Sequence, residues 1–234
     1  MKITDLDSVY EIACSYLYCN CEITDKKYSL FVSHPIFFSV YYPIKFGDEI
    51  KLVNIMDKPK YLELARKQYI DIFARIDKPG GFLVHIRKPY MLAFLRDTKD
   101  YLSESDFADM LNFAWTSSEN PNDDVNVKIP TLIKWFRSAD KKSLMNTEDY
   151  NKYMSIDGTV TVYRGVGINR NPVGLSWTFD MDTAFWFANR FGDGGYIEYA
   201  TVRKDDVLAY FGNRNESEVV VDTANINIEI LNKK

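Results

Sequence analysis

The chain has 234 residues and carries 29 basic against 33 acidic side chains, which gives a formal net charge of −4 at neutral pH. This mildly acidic balance disfavours nucleic acid or an anionic membrane as the main partner. With 16 Tyr, 15 Phe and 4 Trp, the composition is that of a globular protein with a well-filled core.

The termini and the cysteines predict the compartment. Residues 1–5 lack the apolar run of a signal peptide, and no apolar run approaches the roughly 18 residues of a membrane span. Cys14, Cys19 and Cys21 lie in one short segment, and this odd, clustered count fits a reducing cytoplasm. A zinc site made by these thiols and His34 is an alternative, although no second cysteine pair follows.

The first half of the chain combines helical and strand-like periodicity. Helices are predicted over residues 5–18, 58–74 and 89–95 and from Ser103 into Trp115, and strands over 28–32, 36–42, 50–55 and 82–86. The breaker cluster at 77–81 predicts a boundary between an α+β subdomain of unassigned role, 1–80, and a second domain, 81–234. His85 has no evident catalytic partner in the sequence, which favours a core histidine.

The second half begins with helices and ends with clustered strands. Helices are predicted over 131–138 and 143–153 and from Asp180 to Gly192, and strands over 159–163, 174–178, 196–202, 218–222 and 226–230. Helices followed by clustered strands indicate the α+β class.

Three short stretches of this half carry candidate functional residues. Arg164, at a strand end beside Gly165, can bind a phosphate through its bidentate fork, or can form an ordinary surface ion pair. Ser176 and Thr178 share one face of a predicted strand, as strand hydroxyls often do.

The third stretch is an acidic pair around a serine. Glu216 and Glu218 flank Ser217 before a β-branched run, so the two acids can point into one space if the strand begins that early. The alternative is a solvated strand end.

The chain resembles the arginine–serine–glutamate class of mono-ADP-ribosyltransferases. The resemblance is carried by the order of three motifs along the chain: Arg164, then Ser176-Trp177-Thr178, then Glu216-x-Glu218. The run 184–191 and Tyr210-Phe211-Gly212 are similar to phage and bacterial members, and the resemblance covers roughly residues 105–230. Trp177 departs from the usual small middle residue of the serine motif.

The resemblance implies a role for each motif residue. Glu218 stabilises the oxocarbenium-like transition state as nicotinamide leaves NAD, and Ser176 aims Glu218. Arg164 binds the NAD phosphates or ribose, Gly165 contacts the nicotinamide amide, and Glu216 orients the acceptor guanidinium and takes its proton.

The remaining implied NAD-binding residues are Thr178, Phe187 and Arg190. Phe187 is expected to stack on nicotinamide, with core packing as an equal competitor, and Arg190 to bind the pyrophosphate. No metal is implied, and the family binds NAD without a GxGxxG loop, which this sequence also lacks.

The expected fold is therefore α+β, with a helical N-terminal part followed by two small, mainly antiparallel sheets around an NAD cleft. The expected activity is transfer of ADP-ribose from NAD to an arginine of a protein target, in the cytoplasm of a host cell if the enzyme is phage-encoded or delivered as a toxin. The alternatives are an NAD glycohydrolase that uses the same site, and an inactive binding or inhibitory protein on the same fold.

Overall fold

A computed structural model describes residues 2–24, 30–212 and 217–231 of the chain. The backbone groups into two compact units, Met1–Glu119 and Asn120–Lys234. No helix in the described ranges is both long enough and apolar enough to cross a membrane.

The first unit contains five helices and four short strands within the described residues. In chain order they are α1 (Leu6–Tyr16), β1 (Glu22–Ile23), β2 (Val32–Ser33), β3 (Tyr41–Phe46), β4 (Glu49–Asn54), α2 (Pro59–Phe73), α3 (Gly80–Leu83), α4 (Met91–Thr98) and α5 (Glu104–Ser117).

Capping residues set the starts of the longer helices in this unit. Asp5 accepts a hydrogen bond from the Ser8 backbone N–H at 3.0 Å and opens α1. Ser103 accepts from the Asp106 N–H at 3.1 Å and opens α5. Each side chain satisfies a backbone donor that the first helical turn leaves unpaired.

The prediction of a strand over 82–86 is wrong, because Gly80–Leu83 form α3. Phe82 is fully buried and packs edge-to-face on Phe73, with ring centroids 5.6 Å apart. A short apolar run fits a buried helix as well as a strand, so its periodicity does not discriminate between the two. The predicted boundary at 80/81 lies inside the first unit, because α3 packs against α5 and leaves no linker there.

Pro43 lies within β3, so this strand continues past residue 42, where the predicted strand ends. Its carbonyl accepts a hydrogen bond from Gln68 Nε2 at 3.1 Å, so the backbone groups of this residue point away from β4. Proline is tolerated at such an edge because the missing N–H faces no partner strand. The hairpin then closes at Gly47, whose φ of +61° suits glycine.

The second unit is built from helices α6 (Ile129–Ser138), α7 (Lys141–Leu144), α8 (Thr147–Ser155) and α9 (Met181–Asn189) and from six strands. The strands are β5 (Thr159–Val166), β6 (Ser176–Thr178), β7 (Tyr196–Arg203), β8 (Val207–Phe211), β9 (Glu218–Val221) and β10 (Glu229–Leu231). The prediction of one helix over 143–153 is wrong, because Asn146 accepts from the Asp149 N–H and starts α8 as a separate helix.

The six strands form one antiparallel sheet in the order β10-β7-β5-β6-β9-β8. Two sheets were expected from the sequence. The junction of β5 and β6 rests on one register pair, Tyr163 with Thr178, so two groups of three strands are joined by a narrow seam. Strand β8, which lies between β7 and β9 in the sequence, was not predicted.

Helix α9 covers one side of the sheet near this seam. Ala184 and Ala188 on the helix pack with Ile197 on β7 and with the partly buried Tyr163 on β5. Gly165 permits this close approach, because a Cβ there would lie 2.0 Å from the Ala184 carbonyl oxygen.

Polar side chains fix the helices against β8 and the end of β9. Arg137 of α6 donates to the buried Asp222 through Nε at 3.0 Å and through Nη2 at 2.6 Å. Lys141 donates to the backbone oxygens of Phe136 and, at 2.9 Å, Leu208. Burial lowers the pKa of Lys141 to about 8, and neighbouring positive charges add to this effect.

Candidate functional site

The candidate site lies where β6 meets β9. Ser176 begins β6 and Glu218 begins β9, and the register pairs Thr178 with Glu218 and Ser176 with Val220. Paired strand residues share a face, so the side chains of Ser176 and Glu218 lie diagonally on one side of the sheet. Ser176 Oγ donates to Glu218 Oε1 at 2.5 Å. The predicted contact between these two residues is therefore present.

The backbone turns sharply into Glu218. Ser217 has a φ of +44°, in the left-handed region that non-glycine residues rarely adopt. Such a conformation costs on the order of 1 kcal/mol and is retained where the surroundings impose it. Glu218 is then paired on both sides, with Thr178 of β6 and Phe211 of β8. The carboxylate is thus carried by a strand start that two neighbouring strands hold.

Asp149 of α8 fixes the strand end that faces Glu218. Its Oδ1 accepts from the Gly212 N–H at 2.9 Å, and its Oδ2 accepts from Asn146 Nδ2 at 2.8 Å. The carboxylate is 4% exposed, and burial raises its pKa. Sequence reasoning missed Asp149 because Glu148 and Asp149 together resemble the ordinary acidic first turn of a helix.

Arg164 reaches the site through the backbone of Ser176. Its Nη1 donates to the Ser176 carbonyl oxygen at 2.9 Å, and its Nη2 donates to the Asn171 carbonyl oxygen at 3.3 Å. The guanidinium lies directly on Gly174, where a Cβ would come within 2.4 Å of Nη2. Arg164, Ser176 and Glu218 are therefore linked in one chain of contacts with Ser176 in the middle.

The loop under the guanidinium is held by asparagines. Asn122 Oδ1 accepts from the Leu175 N–H at 2.6 Å, and Asn171 Nδ2 donates to Asp123 Oδ1 at 2.8 Å. These bonds fix the segment that supplies the Asn171 carbonyl to Arg164. Their residues are far apart in sequence, so no local pattern predicted them.

Glu198 is a second functional candidate that sequence reasoning missed. It lies on β7 directly opposite Arg164 in the β5–β7 register. Its Oε2 is 3.8 Å from Arg164 Nε, and its side chain is 7% exposed. The pattern that could have identified Glu198 is the two-residue period of a strand. Glu198 lies on the same face of β7 as Ala200 and Val202, which are both almost fully buried.

Trp177 and Thr178 act as supports in the structure. Trp177 is 3% exposed, and its Nε1 donates to the Gly174 carbonyl oxygen at 3.1 Å. Thr178 is buried, and its Oγ1 accepts from the N–H of Asp180, the N-cap of α9. Trp177 thereby fixes Gly174, the glycine on which the Arg164 guanidinium lies.

The other residues expected to bind NAD lie on or beside α9. Gly165 packs tightly against the α9 backbone. Phe187 is half-buried and contacts Trp186 edge-to-face at 4.9 Å. Arg190 is exposed, and its guanidinium lies 5.0 Å from the ring centroids of Trp186 and Phe191. The positions of Phe187 and Arg190 are thus set by α9 and its aromatic neighbours.

Glu216, the first acid of the predicted pair, lies outside the described residues. Its predicted role toward an acceptor therefore stays a prediction from the sequence.

The zinc alternative concerns Cys14, Cys19, Cys21 and His34. Over 2–24, 30–212 and 217–231, no group of three or more His, Cys, Asp or Glu side chains is placed to hold a metal ion. The Nδ1 atom of buried His34 accepts from the N–H groups of Ile36 and Phe37, and burial lowers its pKa to about 4. His34 thereby has a local structural role.

Comparisons of the chain with protein-family models, with curated proteins and with solved structures returned no match. The functional assignment therefore depends on the chemistry and geometry of the site itself.

Proposed function

We propose that this protein is an NAD-dependent mono-ADP-ribosyltransferase that modifies an arginine side chain of a protein target and releases nicotinamide. The observation that carries the proposal is the 2.5 Å hydrogen bond from Ser176 Oγ to Glu218 Oε1. Arg164 adds to it by donating a hydrogen bond to the Ser176 carbonyl oxygen. A carboxylate that is fixed at a strand start and oriented by a hydroxyl is what cleavage of the bond from nicotinamide to ribose requires.

The chemistry explains why orientation matters. When the bond from nicotinamide to ribose breaks, positive charge develops on the ribose ring, as in glycoside hydrolysis. A preorganised carboxylate stabilises that charge without having to reorganise during the reaction. Glu218 has this role in the proposal, and the Ser176 hydroxyl keeps its carboxylate aimed through the bond to Oε1.

The fold is compatible with the proposal. Strands β5, β6 and β9 lie side by side in the antiparallel sheet, so Arg164, Ser176 and Glu218 are carried by neighbouring strands, with α9 following β6. The narrow seam between β5 and β6 lies next to Ser176 and corresponds, in the proposal, to the cleft that accepts NAD.

The acceptor is assigned from the acid pair. An arginine side chain is protonated at neutral pH and is a poor nucleophile, so a second carboxylate that orients it and takes a proton makes transfer feasible. In this step the guanidinium nitrogen bonds to the ribose carbon, the nicotinamide bond breaks, and the proton passes to Glu216.

Replacing Glu218 with Gln tests the activity. We expect nicotinamide release from NAD to fall about 100- to 1000-fold in kcat, because one preorganised electrostatic group is lost. Ser176→Ala leaves the carboxylate but removes its hydrogen bond, and we expect a smaller loss, about tenfold. Nicotinamide would be quantified by chromatography, with and without agmatine as a guanidino acceptor.

The matched control is Glu229→Gln, the same chemical change on an exposed carboxylate of β10. It should match the unmodified protein. Undiminished nicotinamide release by a folded Glu218→Gln variant would exclude this site as the catalytic centre, and no release by the unmodified protein would reject the enzymatic proposal.

Replacing Glu216 with Gln separates transfer from hydrolysis. We expect transfer to agmatine to be lost while NAD hydrolysis persists, because Glu218 alone serves the bond cleavage. Mass spectrometry of agmatine and of free ADP-ribose measures both products. Equal loss of both products, or retention of both, would contradict the assigned division of labour, and an unmodified protein that only hydrolyses NAD would be a glycohydrolase.

A further inference from the structure

Glu198 is a buried carboxylate that the proposed reaction does not use directly. It lies in the middle of β7, 6% exposed, between strands β5 and β10. Carboxylates are seldom buried to this degree without a compensating charge. The side chain therefore needs a partner, and its neighbours identify one.

Arg164 is that partner. The two residues are a register pair, and Arg164 Nε lies 3.8 Å from Glu198 Oε2. Burial raises the pKa of Glu198, and the Arg164 charge opposes that rise, with a further contribution from a Tyr196 hydrogen bond. Burial lowers the pKa of Arg164, and Glu198 is the strongest of the charges that oppose this, ahead of Asp123. Each group is thus the main compensating charge of the other.

The Nε atom of Arg164 and Oε2 of Glu198 face each other at 3.8 Å as an ion pair without a hydrogen bond, whereas the Nη donors of Arg164 are directed at backbone oxygens. Nη1 donates to Ser176 and Nη2 to Asn171, while the flat face of the group lies on Gly174. The guanidinium side chain is 13% exposed. In this position it supports the strand that carries the Ser176 hydroxyl.

We propose that Glu198 is a positioning residue, which holds the Arg164 guanidinium against the Ser176 carbonyl and so keeps the Ser176 hydroxyl aimed at Glu218. This inference rests on the proposed function. It also assigns Arg164 a role through Ser176, in place of the direct phosphate contact that the sequence resemblance implies.

The order of effects follows from this arrangement. Without the Glu198 charge, Arg164 becomes an uncompensated buried cation and shifts toward solvent or another carboxylate. Ser176 then loses its support, while residues that contact NAD elsewhere are unchanged. The effect should therefore fall on the chemical step and not on NAD binding.

Glu198→Gln tests the proposal, with Glu198→Asp as the conservative variant and Glu229→Gln as the control. We expect Glu198→Gln to lower kcat for nicotinamide release about 10- to 100-fold, since a misplacement of about 1 Å can cost about 100-fold. The KM for NAD should stay within about twofold, because uniform binding is not removed. Glu198→Asp keeps the charge and should recover part of the lost kcat.

A second measurement does not depend on activity. The Arg164 Nε–H signal in ¹⁵N NMR, assigned with Arg164→Lys, should shift and exchange faster with water in Glu198→Gln and should be unchanged in Glu229→Gln. This readout applies even if the unmodified protein releases no nicotinamide, which separates failure of the inference from failure of the proposed function.

Three results would overturn the inference. The first is an Arg164 Nε–H signal in Glu198→Gln that is identical to that of the unmodified protein. The second is a kcat for Glu198→Gln equal to that of the unmodified protein. The third is a raised KM with an unchanged kcat, which would place Arg164 directly on NAD. If Glu198→Gln does not fold, the comparison passes to Glu198→Asp, where an Arg164 signal identical to that of the unmodified protein together with full kcat would also reject the inference.

Discussion

At the scale of single residues, the site depends on how closely Arg164 approaches Gly174. A Cβ at Gly174 would lie 2.4 to 2.6 Å from three guanidinium atoms, a distance at which one group must move. The carbonyls of Ser176 and Asn171 and the carboxylate of Glu198 surround the guanidinium on its other sides. Glycine is therefore needed at this position because a larger side chain would collide with the Arg164 guanidinium, and not because of the backbone conformation.

Gly174→Ala displaces the guanidinium without removing it. We expect nicotinamide release to fall about tenfold or more, for the same reason as in Glu198→Gln, while overpacking lowers the free energy of unfolding by about 1–3 kcal/mol. Activity and urea unfolding would be measured on the same preparations, with Gly167→Ala as the control because the nearest atom to a Cβ there is 3.4 Å away. Full activity of folded Gly174→Ala would show that Arg164 can move without consequence.

At the scale of elements, the contact of α9 with β5 sets the position of the strand that carries Arg164. Gly165 brings the α9 backbone so close that a Cβ would lie 2.0 Å from the Ala184 oxygen and 2.6 Å from the Ala188 nitrogen. A Cβ at Gly195 would likewise lie 1.9 Å from the backbone oxygen of Ala188. The atoms in the way are backbone atoms, which cannot rotate aside as a side chain can.

Gly165→Ala should therefore separate α9 from the sheet. We expect the free energy of unfolding to fall by about 3 kcal/mol, the upper part of the range for overpacked cores, since the helix must shift as a body. Urea unfolding followed by circular dichroism measures this change. Gly167→Ala, two residues along the same chain segment, should differ from the unmodified protein by much less, and equal stability of the two variants would refute the packing argument.

At the scale of the molecule, the two units differ in what they contribute. Met1–Glu119 is built around buried aromatic side chains such as Phe37, Phe73 and Phe82, and His85 packs edge-to-face on Phe73 and Tyr69. His85 is half-buried at the edge of this aromatic cluster, and its partial burial lowers its pKa.

The second unit contains every described residue of the candidate site. Arg164, Ser176, Glu198 and Glu218 all lie on its single sheet. The sequence resemblance extended upstream to about residue 105, but the compact unit begins at Asn120. Contacts between α3 and α5 assign the intervening segment to the first unit, and such contacts are invisible in a linear pattern.

The sequence alone determined what depends on neighbours along the chain. Capping residues and helical periodicity located α1, α2, α5 and α9 to within a few residues, because hydrogen bonds in a helix are local. The α+β class followed from the order of these patterns. The sequence also singled out Arg164, Ser176 and Glu218, because their order along the chain resembles that of the motifs of a known enzyme class.

Only the tertiary structure decided which of these residues meet, and how. Ser176 and Glu218 are separated by 42 positions, and their contact depends on the pairing of β6 with β9. Glu198 became a candidate only when β7 was placed beside β5, opposite Arg164. The period of a strand gives the face of a side chain but not the neighbouring strand, because pairing is set by long-range packing. For this reason the sequence identified the candidate residues Arg164, Ser176 and Glu218, whereas the contacts that position them, such as that of Glu198 with Arg164, are visible only in the fold.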